Sequence, residues 1–182
     1  MPGFGDPNAE LLVVGLAPAP HGGNRTGRIF TGDRLFSALY RAGYANQPTS
    51  RSRDDGLQLM GAYVTTCVRC APPNNRPTRE ERDNCLPYLA RELRLLEQVQ
   101  VIVCLGKFAY DSVAHVTGLK HRPAFGHGVE AVLPDGRRIV CSFHPSQQNT
   151  FTRRLTVPMF DAIFVRARAV ARAAGRTSHD LN

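Results

Sequence analysis

The side chains best suited to chemistry lie in loops that are rich in Gly, Pro, Asn and His. The longest loop covers residues 15–33 and offers Asn24, Arg25 and Asp33 as polar groups and Phe30 as an aromatic ring. It lacks the Gly-Lys-Ser/Thr ending of a Walker loop and the G-x-G-x-x-G of a dinucleotide fingerprint. Because long loops in compact domains tend to be functional, the segment predicts a ligand-binding loop. The alternative is a surface loop with Phe30 packed into the core.

A second candidate is His144, which follows the apolar run Ile139–Phe143 and precedes Pro145. A histidine on a loop can donate a hydrogen bond to a developing anion. Pro145 holds His144 in an extended conformation at the end of the run, which favours a site. A structural histidine with satisfied hydrogen bonds is the alternative.

The residues that follow, 147–154, combine polar side chains with one aromatic residue and two arginines. Such a segment can lie against a phosphate backbone and insert an apolar side chain into a stack of bases. The alternative is a solvated loop before the last helix. Together with the basic composition, the pattern favours contact with a nucleic acid.

The cysteines provide candidate metal ligands. An odd number of cysteines without a secretory segment argues against a disulfide framework. Cys104 and Cys141 lie in apolar runs and are expected to be buried. Cys67 is expected in the core too, because its C-x-x-C spacing from Cys70 places the two side chains on opposite faces of a strand. Cys70 and Cys85 are then the candidate ligands of zinc or of an iron–sulfur cluster.

The composition indicates a folded, basic protein of 182 residues, with 42% hydrophobic residues and a formal net charge of +8. The length predicts a single domain over residues 1–182, with 1–10 as an N-terminal arm and 175–182 as a flexible tail. The sequence shows neither a signal segment nor a membrane-spanning run, so a cytoplasmic protein is expected. The positive charge comes from 21 arginines against 2 lysines. Arginine forks suit phosphates and bases, so a nucleic-acid partner is favoured over a merely solvated arginine-rich surface.

Alternating strand and helix patterns predict an α/β fold with a central, mainly parallel four-stranded sheet covered by helices on both faces. The expected buried strands are Leu11–Leu16, Tyr63–Val68, Val101–Leu105 and Ile139–Phe143. The expected helices are Asp33–Ala42, one that opens with a Thr78–Glu81 capping box, Lys107–Val116 and Pro158–Ala174. In such sheets ligands bind at the carboxyl ends of the strands, which is where the candidate loops begin.

Three stretches, taken together and in this order, resemble the uracil-DNA glycosylase superfamily. They are G-L-A-P followed by H-G-G-N-R-T-G-R-x-F-T-G-D, then R-C-A-P-P-N-N-R-P-T-x-E-E, then H-P-S-Q-Q-N-T-F-T. The resemblance is strongest to the iron–sulfur type called family 5, or type B, and it extends from Gly15 to the last helix. It implies a three-layer α/β/α sandwich and a monomeric base-excision repair enzyme that removes uracil and other deaminated bases from DNA.

The resemblance also implies roles for individual residues. Phe30 would stack on a base flipped out of the duplex, and Asn75 would read the edge of that base. His144 would donate a hydrogen bond to the carbonyl oxygen of the leaving base, and Asp33 would be a carboxylate near the sugar. The resemblance further implies that two small residues, Gly15 and Ala17, bind the substrate. It implies that four polar residues bind DNA: Arg25, Ser146, Asn149 and Arg153.

The chain departs from the family pattern in three places. The family holds a 4Fe–4S cluster with four cysteines; Cys70 and Cys85 match the downstream pair, whereas no cysteine precedes the first predicted strand. We therefore expect either a longer reading frame or an incomplete cluster. The family has a few more residues between the T-G-D of the first motif and the helix, whereas here Asp33 runs straight into Arg34, Leu35 and Phe36, a shortening that affects where Asp33 is placed. The first loop also lacks an acid after its strand, because Leu16, Ala17 and Ala19 stand where other branches of the superfamily place Asp, Asn or Glu. Water activation is then expected from Asp33, unless DNA phosphates and stabilisation of the leaving base do most of the work.

Two other functions stay open at this point. The altered first loop and the missing cysteines are compatible with a catalytically weakened, nucleic-acid-binding member of the same superfamily. A small-molecule hydrolase on an α/β sheet is disfavoured, because the G-x-S-x-G elbow is missing and the basic charge gives it no advantage.

Overall fold

The computed structural model describes residues 1–19 and 22–179, without the side chains of Asn24 and of residues 175–179. The side chain of Asn24, one of the candidate polar groups of the first loop, lies outside the described part. So do residues 180–182, the end of the predicted tail. The last helix of the described chain continues to His179, beyond the predicted end at Ala174.

Within the described residues, six strands form one sheet in the order β1-β3-β2-β4-β6-β5. They are β1 (Phe4–Gly5), β2 (Leu11–Gly15), β3 (Ala62–Thr66), β4 (Val101–Leu105), β5 (Glu130–Val132) and β6 (Arg138–Ser142). The four central strands are parallel, and β1 and β5 pair antiparallel at the two edges. The four predicted strands are confirmed. The predicted count of four missed both edge strands, because strands of two and three residues carry no periodic signal.

Helices cover both faces of the sheet and complete the three-layer α/β/α sandwich. They are α1 (Gly23–Thr26), α2 (Arg34–Arg41), α3 (Arg79–Leu95), α4 (Lys107–Val116), α5 (Gln147–Phe151) and α6 (Val157–His179), with a short 3-10 turn at Pro73–Asn75. Among the described residues, each helix is too short or too polar to cross a membrane.

Alternate residues of the strands build two cores. Leu11 and Val13 of β2 face one core, which includes Phe36 of α2 and Phe164 of α6. Their neighbours Leu12 and Val14 face the opposite core, which is formed with α3 and α4. Because successive strand residues point to opposite faces, the continuous apolar run of β2 is explained by burial on both sides.

The predicted capping box at the start of α3 is confirmed. The Thr78 hydroxyl accepts a hydrogen bond from the Glu81 N–H at 3.1 Å, and the Glu81 carboxylate accepts one from the Thr78 N–H at 2.7 Å. The buried stripe of this helix, Leu86, Leu89 and Leu93, fixes its rotation on the sheet. That rotation leaves Cys85 half-buried at the surface of the helix.

Candidate active site at the carboxyl edge of the sheet

The four central strands end in one row. Gly15 of β2 is level with Thr66 of β3. Leu105 of β4 is level with Ser142 of β6 in the same row. The loops singled out in the sequence start just beyond this row, so the register of the parallel sheet brings them to a common edge.

Phe30 lies over the end of β2. A Cβ built on Gly15 would come within 2.3 Å of the Cζ atom of Phe30, so only a glycine leaves room for the ring. Phe30 is half-buried and packs against the core that β2 forms with α2 and α6. The structure thus brings together two of the predicted substrate-binding residues, and Phe30 stays partly accessible.

Left-handed backbone conformations concentrate in the same loops. The described non-glycine residues with positive φ are Phe30, Asn74, Asn75 and Arg153, with φ between 53° and 56°. They follow β2, β3 and β6. Residues in such sparsely populated conformations cost about 1–3 kcal/mol each and cluster at functional sites. For Phe30 the surrounding structure must impose the conformation, because a bulky side chain does not adopt it by itself.

His144 follows β6 and lies beside Gly106, the residue directly after β4. Its Cβ lies 3.4 Å from the position of a Cβ on Gly106, a residue that adopts a left-handed φ of 95°. Burial lowers the pKa of His144 below its ordinary value of 6.5. The imidazole is therefore neutral at neutral pH and keeps one N–H that can donate a hydrogen bond.

Hydrogen bonds within the loop fix the backbone of His144. The side-chain amide of Asn149 and the backbone N–H of Ser146 both donate to the His144 carbonyl, each at 2.8 Å. The Ser146 hydroxyl accepts from the Asn149 N–H at 3.2 Å and caps α5. Ser146 and Asn149 therefore position the backbone of His144, while their predicted contacts with DNA stay a prediction.

Asp33 reaches the same region from the start of α2. Its carboxylate is exposed and makes no capping hydrogen bond to the helix. Asp33 and Pro145 line one cavity of about 200 Å³. Next to it, a guanidinium N–H of Arg34 donates to the Ser146 carbonyl at 3.4 Å. The start of α2 and the loop that carries His144 are thus direct neighbours.

The other predicted site residues lie on the same edge with less definite surroundings. Ala17 is half-buried two residues after the end of β2, and Asn75 ends the 3-10 turn after β3 as an exposed residue. Arg25 and Arg153 are also exposed. Among the described contacts, none joins Asn75 to Phe30 or His144, so its part in the site stays a prediction.

Sequence reasoning missed three residues beside the site. One is Gly106, which could have been found as a glycine directly after a buried strand. A second is His127, whose Nδ1 accepts from the N–H of Phe143 at 3.2 Å. The third is the buried Arg28 in the first loop. No local signal separates His127 or Arg28 from the exposed histidines and arginines of the chain.

Cys70 and Cys85 line one surface cleft of about 660 Å³, together with Met1, Pro2 and Tyr88. The described residues contain no group of three or more His, Cys, Asp or Glu side chains placed to hold a metal ion. The described chain therefore supplies two thiols at this cleft. A 4Fe–4S cluster with four cysteines does not fit these residues alone.

The other three cysteines are buried, as predicted: Cys67, Cys104 and Cys141. Burial raises the pKa of the Cys67 thiol to about 12. A thiol of this kind is protonated at neutral pH and behaves as a small apolar side chain.

Comparison with known proteins confirms the resemblance seen in the sequence. A family model described as "Uracil DNA glycosylase superfamily" matches residues 2–168. A type-5 uracil-DNA glycosylase of Mycobacterium leprae is 50% identical over 178 residues, which cover 94% of this chain and 78% of that protein. One of Thermus thermophilus is 47% identical over 176 residues, 94% of this chain and 80% of that protein. A type-4 uracil-DNA glycosylase of Archaeoglobus fulgidus is 36% identical over 121 residues, 66% of this chain and 55% of that protein. The chain therefore belongs to the uracil-DNA glycosylase superfamily and, within it, to the type-5 uracil-DNA glycosylases.

Proposed function

We propose that this chain is a DNA glycosylase that hydrolyses the N-glycosidic bond of uracil and other deaminated bases, leaving an abasic site for base-excision repair. The observation that carries the proposal is the packing of Phe30 on Gly15, in a left-handed conformation, at the sheet edge that also holds His144. Relatives that are 47–50% identical bear the name uracil-DNA glycosylase, which supports the same activity here.

A base inside a duplex must first be flipped out, at a cost of a few kcal/mol. Phe30 is partly accessible and supplies an aromatic ring for stacking, and stacking of a base on such a ring contributes about 1–3 kcal/mol. Gly15 leaves room for the Phe30 ring over the end of β2, and the small side chain of Ala17 lets the base approach the backbone beside it. The Asn75 amide carries the donors and the acceptor that are needed to read the edge of uracil.

Bond cleavage leaves the electron pair of the glycosidic bond on the base, while positive charge develops on the sugar. His144 donates a hydrogen bond to the carbonyl oxygen of the leaving base, and this bond strengthens as the anion forms. Donors of this kind contribute about 2.7–4 kcal/mol to catalysis. The tight backbone anchoring of His144 by Ser146 and Asn149 supports this role, because preorganised donors stabilise a developing charge best.

Asp33 is the carboxylate placed to act on the sugar side. Its exposed side chain stands at the cavity shared with Pro145, next to the loop of His144. A carboxylate there stabilises the positive charge on the sugar and orients the water whose oxygen adds to C1′ as the base departs. The carboxylate accepts the proton that this water loses, and the departing base anion takes up a proton from solvent. DNA phosphates close to the sugar contribute to the same stabilisation.

The DNA-binding surface is formed by exposed groups around this edge. Arg25 and Arg153 are exposed cations suited to phosphates. Phe151 of α5 is 79% exposed and lies close to His144 in the chain, so it is suited to enter the base stack that the flipped nucleotide leaves. Apart from their contacts to the loop, Ser146 and Asn149 offer polar atoms to the backbone of DNA.

The two surface cysteines suit a structural role beside this surface. Cys70 and Cys85 would supply two of the four thiolates of a 4Fe–4S cluster in the cleft that they share. A cluster bound there would tie the segment after β3 to α3. The two remaining ligands would have to come from outside the described residues.

The test is release of uracil from a uracil-containing oligonucleotide with the enzyme in excess. The parent protein is expected to leave an abasic site, and His144→Ala is expected to lower the rate about 10²-fold or more, with little change in DNA affinity. His115→Ala, which changes an exposed histidine at the end of α4, serves as the matched control and keeps the parent rate. Binding without an abasic product would instead favour a catalytically weakened nucleic-acid-binding protein.

A further inference from the structure

We propose that Arg28 and Asp55 form a positioning pair that holds Phe30 over the end of β2 and thereby sets the rate of base removal. The effect on the rate rests on the proposed function, since it requires a base that stacks on Phe30. Arg28 lies two residues before Phe30, and Asp55 lies in the segment 50–57 between α2 and β3.

Arg28 is a buried cation with a dense set of acceptors. The residue is 7% exposed. Its Nε donates to the Ser52 carbonyl at 2.8 Å, and its Nη1 donates to the Leu57 carbonyl at 3.5 Å. Its Nη2 donates to the Asp55 carboxylate at 3.0 Å and also to the Arg53 carbonyl. A buried charge is tolerated when it is paired and hydrogen-bonded in this way. The forked guanidinium group of Arg28 therefore fixes the segment 50–57 against the first loop.

Asp55 organises the segment that Arg28 grips. Its carboxylate accepts from the backbone N–H groups of Arg51 at 2.6 Å, Ser52 at 3.3 Å and Leu57 at 3.1 Å. Burial by itself would raise the pKa of Asp55, but these N–H groups and Arg28 lower it below its ordinary value of 3.8. The carboxylate is therefore ionised at neutral pH, and it holds the carbonyls that receive Arg28 in a fixed turn.

A second tie holds the chain on the other side of Phe30. Gly32 donates its N–H to the Ser50 carbonyl at 2.7 Å, and Ser50 donates its N–H to the Gly32 carbonyl at 3.3 Å. Phe30 thus lies midway between two attachments to the same segment. These attachments account for its left-handed φ of 56°, which the side chain would not adopt in a free loop.

Lysine cannot replace this fork. An ammonium group on a flexible stem pairs with Asp55 but does not present the planar fork that reaches Asp55 and the three carbonyls together. Arg28→Lys therefore keeps the charge and loosens the loop. Asp55→Asn keeps the shape of the side chain but removes the ionised acceptor. Displacement of a substrate-positioning group by about 1 Å lowers rates about 10²-fold, so both variants are expected to release uracil about that much more slowly.

The matched control is Arg168→Lys. Arg168 also donates to a backbone carbonyl, that of Ala42, and lies 5.2 Å from the centroid of the Tyr44 ring. Arg28 lies in the same way 4.6 Å from the centroid of the Phe4 ring. Arg168 sits at the far end of α2 from Asp33, so its substitution is expected to affect stability without changing the rate of uracil release or the DNA affinity.

A fluorescence experiment tests the positioning without any need for catalysis. The chain contains no tryptophan, so Phe30→Trp introduces a single reporter at the position of interest. In this background Arg28→Lys and Asp55→Asn are expected to increase quenching by acrylamide severalfold, while Arg168→Lys leaves it unchanged. Circular dichroism checks that each variant is folded, and Asp55→Asn carries the test if Arg28→Lys does not fold.

The outcomes separate the two proposals. Increased quenching together with slower uracil release at unchanged DNA affinity supports the positioning pair. Unchanged quenching in folded variants overturns it, whatever the activity. If the parent protein releases no uracil but quenching still increases, the proposed function fails while the structural part of the inference stands. If quenching increases and uracil release keeps the parent rate, the pair does not set the rate.

Discussion

The contact between Gly15 and the ring of Phe30 leaves no space for a side chain at position 15. Gly15→Ala would push the ring off the end of β2, because the backbone of a central strand cannot yield. We expect uracil release to fall about 10²-fold, since a misplaced stacking group no longer orients the base. Measurement of the rate with the enzyme in excess, alongside thermal unfolding, checks this prediction.

A double substitution gives the internal control for that prediction. Phe30→Ala alone removes the stacking surface, and Gly15→Ala added to it meets no ring. The two effects on the rate are therefore expected to be strongly non-additive. If the logarithms of the two rate losses simply add, the contact is not the reason for the effect of Gly15→Ala.

At the scale of elements, two N-caps of the same chemistry serve different purposes. The Ser146 hydroxyl caps α5, a helix of five residues next to His144, while the Thr78 hydroxyl caps α3, which carries part of the core. Loss of an N-cap costs about 1 kcal/mol. Ser146→Ala is expected to lower uracil release with little change in the free energy of unfolding of the whole protein, because α5 has no buried residue and can loosen without exposing the core. Thr78→Ala is expected to lower the free energy of unfolding by about 1 kcal/mol and to keep the rate. Urea unfolding and single-turnover cleavage, measured on both variants, check these two predictions. A loss of stability without a loss of rate in Ser146→Ala, or a loss of rate without a loss of stability in Thr78→Ala, would contradict them.

Elements were predictable from the sequence where burial leaves a periodic trace. The central strands are continuous apolar runs because helices cover both faces of the sheet, and the capping box at Thr78 predicts the start of α3. The edge strand β1 and the short helix α5 carry no such trace. The candidate site was predictable at Phe30 and His144, which lie directly after strands or in glycine-rich loops. The buried state of Arg28 was not predictable, because it depends on carbonyls supplied by a distant segment of the chain.

In the molecule as a whole, two half-buried histidines make stability depend on pH. Burial lowers the pKa values of His127 and His144 below the ordinary 6.5; for His127 a hydrogen bond to the backbone of Met159 opposes the shift in part. As the pH falls below about 6.5 the unfolded chain binds protons first, so the free energy of unfolding decreases until the pH has passed the lowered values. Urea unfolding between about pH 7 and pH 5 should show this loss. His127→Gln should reduce it, whereas His115→Gln at an exposed site should not.

We expect the DNA affinity of the protein to depend on arginines in particular loops rather than on its total net charge. Arg153 is exposed after α5, at the edge that carries the candidate site, whereas Arg94 is exposed in the last turn of α3. Each phosphate contact contributes about 0.9 to the slope of log affinity against log salt on duplex DNA. Arg153→Ala is expected to weaken binding and to reduce that slope by about one phosphate contact, while Arg94→Ala, with the same change in net charge, leaves both unchanged. Titrations of a non-cleavable duplex at several salt concentrations measure the two slopes. Equal slopes for the two variants would mean that net charge, and not the placement of arginines at this edge, governs binding.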